Sequence, residues 1–417
     1  MRIVITNVFG SYNRGDALLV ESLNEALLRA FSDKIKLDGI AHFPELEREH
    51  LPHVEWHQPP GRSYSSNRIE RKLQNTTRAV GILIYAICGA PSFIAWLAPA
   101  AQLSGVRAIK NSDLVVSCAG GFLLDVNSSI IGNLLQLWIA QRFRKPIVLA
   151  PQTIGPIRRP WLRRLTTYIL NRCDIVCARE EFTAAFLREI GVDRKRIRLL
   201  SDMALYHSSV DPDAGVRAMQ QLGVDAEEKV IGCSVVDWPF PHSSDPHAAR
   251  ELYYSRLRDT LFAIHSESGL RILLVNQVSS DLRLARRVAR DLPFAVLDEE
   301  DRTPAEMRGM IQRCSAFIAS RFHSAVFALL ERVPTVALAY TYKSTGIMRA
   351  MSLEDRVFDI DDFNPNELAR VVIQDLRSPD SAVRSIDRGF EQLRFPKFES
   401  VLREMYSERV GSSHVSA

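Results

Sequence analysis

Cysteine is scarce in this chain and nowhere arranged for chemistry. The six residues Cys88, Cys118, Cys173, Cys177, Cys233 and Cys314 are scattered, mostly inside apolar runs, with no C-x-x-C pair and no His/Cys cluster at metal-ligand spacing. That pattern excludes a zinc module and a disulfide framework, so the cysteines are expected to be reduced core residues of a cytosolic protein. No metal is expected.

A marked charge imbalance is missing too. The chain has 53 basic and 49 acidic residues, a net charge of +4 over 417 residues, which does not call for nucleic acid but suits an anionic substrate or an anionic membrane surface. The basic residues cluster locally, as in Arg142, Arg144, Lys145 and again Arg158, Arg159, Arg163, Arg164. Such clusters are either solvated helix faces or a surface that meets a phosphate-bearing ligand or lipid. A G-x-G-x-x-G dinucleotide fingerprint and a P-loop lysine are both lacking. The opening run Arg2-Ile3-Val4-Ile5-Thr6 reads as a strand rather than the basic-then-apolar layout of a signal peptide, so a cytoplasmic location is expected.

Charge is absent altogether from Ala79 to Val106. The block approaches the roughly 20 apolar residues of a membrane span. Gly89, Pro91 and Pro99 interrupt it, and a single crossing would separate the first strand and helix from the sheet they join. A buried or membrane-surface helical hairpin is expected instead. In the second case the protein would rest peripherally on the cytoplasmic membrane.

What is present is alternation. In the first half, apolar runs at 2–7, 37–42, 113–118, 146–150 and 174–178 read as strands, and amphipathic stretches at 16–31, 129–143, 159–171 and 180–190 read as helices. Around Asp211-Pro212-Asp213-Ala214-Gly215 the sequence turns polar and turn-rich, which places a domain boundary there. Alternation then resumes, with strands at 230–236, 271–276, 294–297, 315–319 and 334–338 and helices at 247–267, 281–291, 304–313, 323–332 and 344–351. The pattern predicts α/β architecture: two doubly wound, Rossmann-like domains, 1–210 and 225–385, facing a cleft, followed by a C-terminal helix and tail, 386–417.

Ligands of such folds bind at loops that follow strands, and the motifs fall there. Asn7-Val8-Phe9-Gly10-Ser11-Tyr12-Asn13-Arg14-Gly15-Asp16 leads from the first strand into the first helix; its glycines permit close backbone approach, and Asp16 either caps the helix or meets a ligand. Gly120-Gly121, with Asp125 beyond, follows the next buried strand, where a tight turn or a backbone wall with a hydroxyl-accepting carboxylate fits equally. Gln152 and Thr153 offer hydrogen bonds in a loop stiffened by Pro151 and Pro156. Arg179 ends a strand, where it either clamps an anion or forms a rim salt bridge, and Ser201-Asp202 follows another run.

The segment Ser320-Arg321-Phe322-His323-Ser324 carries most. A buried strand gives way to a helix, and a fixed cation stands beside the one side chain that ordinarily titrates near neutral pH. Helix dipole, Arg321 and protonated His323 together make a site for a small dianion, with the imidazole able to give a proton. The next strand delivers Tyr340 and Lys343 to the same edge, with Lys343 as a second phosphate ligand.

In this order, Asn13-Arg14-Gly15-Asp16, Gly120-Gly121 with Asp125, Pro151 to Pro156, Arg179, Ser201-Asp202, Arg321-Phe322-His323-Ser324 and the turn Tyr340 to Lys343 resemble the polysaccharide pyruvyl transferase family. Phe322 stands where that family usually has an aliphatic residue. The resemblance implies a GT-B-like fold, phosphoenolpyruvate as donor with no further cofactor, and a saccharide acceptor, commonly lipid-linked, that receives a pyruvate ketal during polysaccharide biosynthesis. It implies His323 as general acid, Arg321, Arg179 and Lys343 as donor ligands, and Asp16 or Asp125 positioning acceptor hydroxyls. Asn13, Gly15, Gly120, Gly121, Gln152, Thr153, Ser324 and Tyr340 are expected to line the substrates.

Two other readings compete. A glycosyltransferase of the same architecture would use a nucleotide sugar and need a ribose-binding carboxylate in the C-terminal half, for which Asp298, Glu299 and Glu300 stand after a strand. A non-catalytic saccharide-binding protein would not need His323 beside Arg321.

Overall fold

The structure is a computed structural model that describes residues 1–10, 13–32, 34–61, 74, 77, 78, 81, 100–125, 127, 129–225, 227–393 and 397–413. Most of the uncharged block at 79–106 lies outside the described residues; its last part opens the helix Ala100–Asn111. No helix among the described residues is long and apolar enough to cross a membrane.

The chain divides into two compact units. Residues 1–10 and 16–207 with the C-terminal helix Phe398–Ser413 make one, and residues 208–393, with which residues 13–15 group, make the other. In the first unit eight strands form one parallel sheet: β1 (Arg2–Val8), β2 (Lys36–Ala41), β3 (Glu55–His57), β4 (Leu114–Ser117), β5 (Gly120–Leu123), β6 (Ile147–Ile154), β7 (Ile175–Ala178) and β8 (Ile197–Leu199). They run in the order β3-β2-β1-β4-β6-β7-β8, with β5 paired to the far end of β6. The inner strands are continuous apolar runs because helices cover both faces: Val4, Val115, Leu149 and Val176 are fully buried in one core with Leu137, Leu162 and Leu187 of the flanking helices.

The second unit has β9 (Val230–Ser234), β10 (Arg271–Val275), β11 (Ala295–Asp298), β12 (Cys314–Ala319), β13 (Thr335–Ala339) and β14 (Val357–Asp359), ordered β11-β10-β9-β12-β13-β14 and parallel throughout. This is the doubly wound order, whose direction of winding reverses between β9 and β12. The crevice beyond the C-terminal ends of those two strands is where such sheets take ligands. Ile231, Cys233, Ile318 and Val336 bury against Tyr253, Leu257 and Val288 to form the core beneath it.

The alternation of the sequence thus becomes two Rossmann-like sheets, with several departures in detail. Residues 212–215 are not a turn: Asp211 accepts the Ala214 N–H at 2.8 Å and Pro212 opens a helix, Pro212–Gln221. Gly215 serves packing there, since a Cβ on it would lie 2.2 Å from the backbone of Gly309 on the helix Pro304–Ile311. Gln152 and Thr153 lie within β6 rather than in a loop, because β5 and β7 continue the ladder alongside, with Gly120 opposite Gln152 and Gln152 opposite Ala178. The end of the chain is two helices, Pro379–Gln392 and Phe398–Ser413, and the last returns to the first unit through Tyr406 against Phe31 and Arg403 donating to the Ala30 carbonyl at 3.2 Å.

The five described cysteines are free and buried. Burial pushes the thiols of Cys173, Cys233 and Cys314 up to about 12, which removes them as nucleophiles near neutral pH.

Candidate active site

At the winding reversal of the second unit, the Ser320 N–H donates to the Ser234 carbonyl at 3.2 Å and ties the loops after β9 and β12 together. Beneath them Tyr253 donates its hydroxyl to Ser320 Oγ at 3.1 Å. Ser320 is fully buried, so its backbone is held from below while Arg321 and Phe322 turn into the helix Phe322–Leu330. Arg321 is the N-cap residue and makes no side-chain capping bond, which leaves its guanidinium for other use.

That guanidinium is aimed by a carboxylate. Arg321 Nε donates to Asp281 Oδ2 at 2.7 Å and the Arg321 NH2 group to Asp281 Oδ1 at 2.6 Å, a bidentate pair. Asp281 is nearly inaccessible and is itself held by the Asp237 N–H at 2.9 Å. The NH1 edge of Arg321 points the other way, 3.4 Å from the Tyr340 hydroxyl, and Tyr340 packs on Trp238 with ring centroids 4.5 Å apart. Burial works against the charge of Arg321, and the hydrogen bonds that it donates to Asp281 outweigh it, so its pKa is raised and the group stays cationic.

His323 sits in the first turn of the same helix, half-buried, with its ring 4.9 Å from that of Phe322. Ser324, one residue on, donates to Gln277 Oε1 at 2.6 Å. β13 lies beside β12 and ends at the turn into the helix Tyr342–Ala350, so Lys343 also occupies a first helical turn on this edge. The structure therefore gathers Arg321, His323, Ser324, Tyr340 and Lys343 at the C-terminal edge of one sheet. Two buried polar atoms of the same edge, Ser234 Oγ and Asn276 Oδ1, have no hydrogen-bond partner among the described residues, which suits a site that receives a polar ligand. Cations at two helix starts can hold a ligand with two anionic groups, and an imidazole at one of those starts can donate a proton to it.

The other residues singled out in the sequence lie in the first unit or at its first helix. Asn13 Oδ1 accepts the Gly15 N–H at 3.0 Å, a turn that starts the helix Arg14–Phe31, and Asp16 stands in its first turn. Gln152 donates to Ser117 Oγ at 2.9 Å and to the Cys118 carbonyl at 2.6 Å, leaving its buried Oε1 unpartnered among the described residues. Gly120 has a φ of 139°, and a Cβ there would strike the Phe122 ring; Gly121 continues β5. Arg179 is only 4% exposed at its side chain, held by Asp202 at 2.7 Å, Thr153 at 2.6 Å and Glu180 at 3.2 Å. The sequence left a clamp and a salt bridge open for Arg179, and the geometry is that of a buried ion-pair network. Asp125 accepts the Arg158 N–H at 3.0 Å and pairs with Arg159 at 3.4 Å, which braces the loop before the helix Pro160–Leu170.

Sequence reasoning missed Asp281, Gln277, Asp237 and Trp238. They follow β10 and β9, of which β9 pairs with β12 and β10 lies beyond it, and strand order is the signal that would have found them. Of the three carboxylates suggested for a ribose, two are engaged elsewhere: Asp298, the last residue of β11, is held by Arg302 at 3.0 Å and Glu299 by Arg286 at 2.7 Å, two strands away from β9.

Known proteins share this fold. HepE of Anabaena, solved with UDP and glucose, shares the fold at a TM-score of 0.58 and 15% identity over 99% of this chain and all of that one. The UDP-GlcNAc 2-epimerase of Neisseria meningitidis, solved with UDP-GlcNAc, does so at 0.60 and 10% identity, over 98% of this chain and all of that one. Both are two-domain enzymes of GT-B type, and at these identities the likeness is one of fold. Along its sequence the chain is 20% identical over 412 residues to the amylovoran biosynthesis protein AmsJ of Erwinia amylovora, covering 94% of this chain and 96% of that protein. Residues 13–342, from the first helix start to Tyr342, match the polysaccharide pyruvyl transferase family, and the chain belongs to that family of transferases.

Proposed function

We propose that this protein transfers the pyruvyl group of phosphoenolpyruvate to a saccharide, forming a pyruvate ketal, in the biosynthesis of an exopolysaccharide or cell-surface polysaccharide. The observation that carries the reading is the Asp281–Arg321 pair beside His323. One edge of the guanidinium is fixed by a carboxylate and the other is presented toward Tyr340 at a helix start. Phosphoenolpyruvate has a phosphate and a carboxylate, so it needs at least two cationic groups. Arg321 and Lys343 supply them on one sheet edge, while Arg179 is committed to Asp202. The relation to AmsJ supports the biosynthetic setting.

In the reaction the methylene carbon of the donor accepts one proton, which makes C2 electrophilic. Two acceptor hydroxyls then attack C2 in turn and lose their protons, and phosphate leaves carrying one of them. His323 gives the proton to the methylene carbon. Arg321 and Lys343 hold the anionic groups and stabilise the charge on the departing phosphate. Asp16 or Asp125 receives the acceptor hydroxyls, the role that the family resemblance gives them. The acceptor is a cytoplasmic sugar intermediate, linked to a lipid and presented at the inner leaflet of the membrane.

The test is to incubate the purified chain with phosphoenolpyruvate and lipid-linked oligosaccharides, and in parallel with nucleotide sugars. Phosphate release that depends on the oligosaccharide is expected. Consumption of nucleotide sugars alone would sink the proposal.

A further inference from the structure

Of the arginines between residues 158 and 172, Arg158 and Arg159 meet Asp125, and none is among the residues gathered at the edge of the second sheet. Helix Pro160–Leu170 buries Leu162, Thr166, Ile169 and Leu170 in the core of the first unit, which leaves Trp161, Arg164 and Tyr168 on its outer side at three- and four-residue spacing. Trp161 is 51% exposed and Tyr168 50%. Exposed apolar groups that share one face, rimmed by polar residues, mark interaction sites more than singly scattered ones do. Arg172, just past the helix end, lies flat on the Tyr168 ring with its guanidinium carbon 3.6 Å from the centroid and extends the same face. Phe182, on the neighbouring helix Glu181–Glu189, is 43% exposed.

Beside these rings opens a surface cavity of about 540 Å³ lined by Arg158, Arg163, Arg164, Thr167, Tyr168 and Glu189, among others. The charges there are only partly compensated. Arg163 is paired with Glu189 at 2.6 Å and Arg159 with Asp125 at 3.4 Å. Among the described residues no carboxylate pairs with the side chain of Arg158 or Arg164. A cavity walled by uncompensated arginines fits a phosphate group. Tyr168 in its lining and Trp161 on the same outer side of the helix fit the interfacial layer of a bilayer, where amphipathic rings have one side in acyl chains and one in headgroups.

From this combination we infer that the face formed by Arg158, Trp161, Arg164, Tyr168 and Arg172 docks the protein on an anionic membrane, with a lipid phosphate seated in the cavity. A soluble phosphate ligand would use the arginines but give no account of two half-exposed rings. An apolar protein partner would use the rings but gain nothing from uncompensated arginines. Single amphipathic helices bind membranes through both contributions together, buried apolar area and attraction to anionic lipid. The purpose of this face rests on the reading of a lipid-linked acceptor given above. Its physics does not, and vesicle binding can be measured with neither donor nor acceptor present.

The experiment is co-sedimentation of the full chain with vesicles of phosphatidylethanolamine and phosphatidylglycerol, set against vesicles of phosphatidylcholine alone. The variants are Arg158→Glu/Arg164→Glu and Trp161→Ala/Tyr168→Ala. All four side chains are on the surface, so both variants are expected to melt as the wild type does. The wild type should bind the anionic vesicles and leave the neutral ones. Raising salt from about 0.15 M to about 1 M, which shortens the screening length from roughly 8 Å to roughly 3 Å, should release it. Each basic residue near an anionic surface contributes roughly fivefold to partitioning, so the arginine variant should partition at least about twenty-five-fold less. The aromatic variant should bind more weakly at every salt concentration. Equal binding of the arginine variant and the wild type would overturn the assignment. So would equal binding to neutral vesicles, or failure to bind vesicles while inorganic diphosphate is bound in solution. Loss of binding in the variants together with absent pyruvyl transfer in the wild type would leave the membrane face standing and remove the lipid-linked pyruvyl acceptor as its purpose.

Discussion

Arg321 and His323 are neighbours but one in sequence and have separate tasks in this account, and substitution separates them. His323→Ala should lower kcat by roughly 10²–10⁴-fold, the usual contribution of a general acid, while phosphoenolpyruvate still binds, as titration calorimetry would show. Arg321→Ala should instead weaken donor binding itself in the same measurement. Asp281 never touches the donor in this scheme; it aims Arg321 through two hydrogen bonds. Asp281→Asn keeps the shape but weakens that hold, and should raise KM for phosphoenolpyruvate by about tenfold, the loss of roughly one charge-assisted hydrogen bond, with a smaller effect on kcat. In a double-mutant cycle with Arg321→Ala the two losses should not add. A purely structural Asp281 would lower the melting temperature and leave KM alone. His323 and Arg321 were legible in the sequence because they stand together at a strand-to-helix turn. Asp281 was not, since its partner lies 40 residues on and only the pairing of β9 with both β10 and β12 brings them into one crevice.

Among the elements, the short helix Pro212–Gln221 shows how a local signal misleads. Asp-Pro-Asp-Ala-Gly has the composition of a turn, yet Asp211 caps, Pro212 fits the first helical position, and Gly215 is small because another helix crosses it. The crossing is made by a second glycine: a Cβ on Gly309 would lie 2.1 Å from the Asp211 carbonyl oxygen, which as backbone has little room to yield. Gly309→Ala should therefore destabilise the second unit by about 2 kcal/mol, in the range of overpacked cores, read as a lowered denaturant midpoint. The long helix Arg14–Phe31 is tied down differently. Its Glu21 faces His50 at 2.5 Å and His207 at 2.6 Å. Burial alone would raise the Glu21 pKa, and the two imidazoles outweigh it, leaving the carboxyl at about 2 against an ordinary 4.5. A depressed carboxyl stabilises the fold above its unfolded pKa and loses that contribution as pH falls through the folded value. Glu21 should thus contribute on the order of 3 kcal/mol above pH 4.5 that disappears toward pH 2. Glu21→Gln should be less stable near pH 5 and should lose less between pH 4.5 and 2, as denaturant unfolding at several pH values would reveal.

For the whole molecule, fold class was legible because buried parallel strands are continuous apolar runs and their helices are amphipathic, so β1, β4, β6, β9, β12 and β13 stand out in the sequence. The edge strands β3, β8 and β14, of three residues each, are too short to carry a period. β5 was hidden by its paired glycines, which read as a turn and form a strand against the end of β6. Sheet order is set by packing between elements far apart in the chain, and it is sheet order that marks the β9/β12 crevice as the place for chemistry. The two sheets of this family member supply a scaffold that its structural relatives share, so the fold alone does not choose between pyruvyl and glycosyl transfer. The distinguishing step is the proton placed on the methylene carbon of the donor, and it leaves a permanent mark. The most direct test is the mass of the saccharide product formed from phosphoenolpyruvate in heavy water, after exchangeable deuterons are washed out. The account predicts a product bearing one pyruvyl group whose methyl carries a single deuterium, formed by the wild type and lost in His323→Ala. A pyruvyl group without solvent deuterium, or a saccharide enlarged only when a nucleotide sugar is supplied, would contradict it.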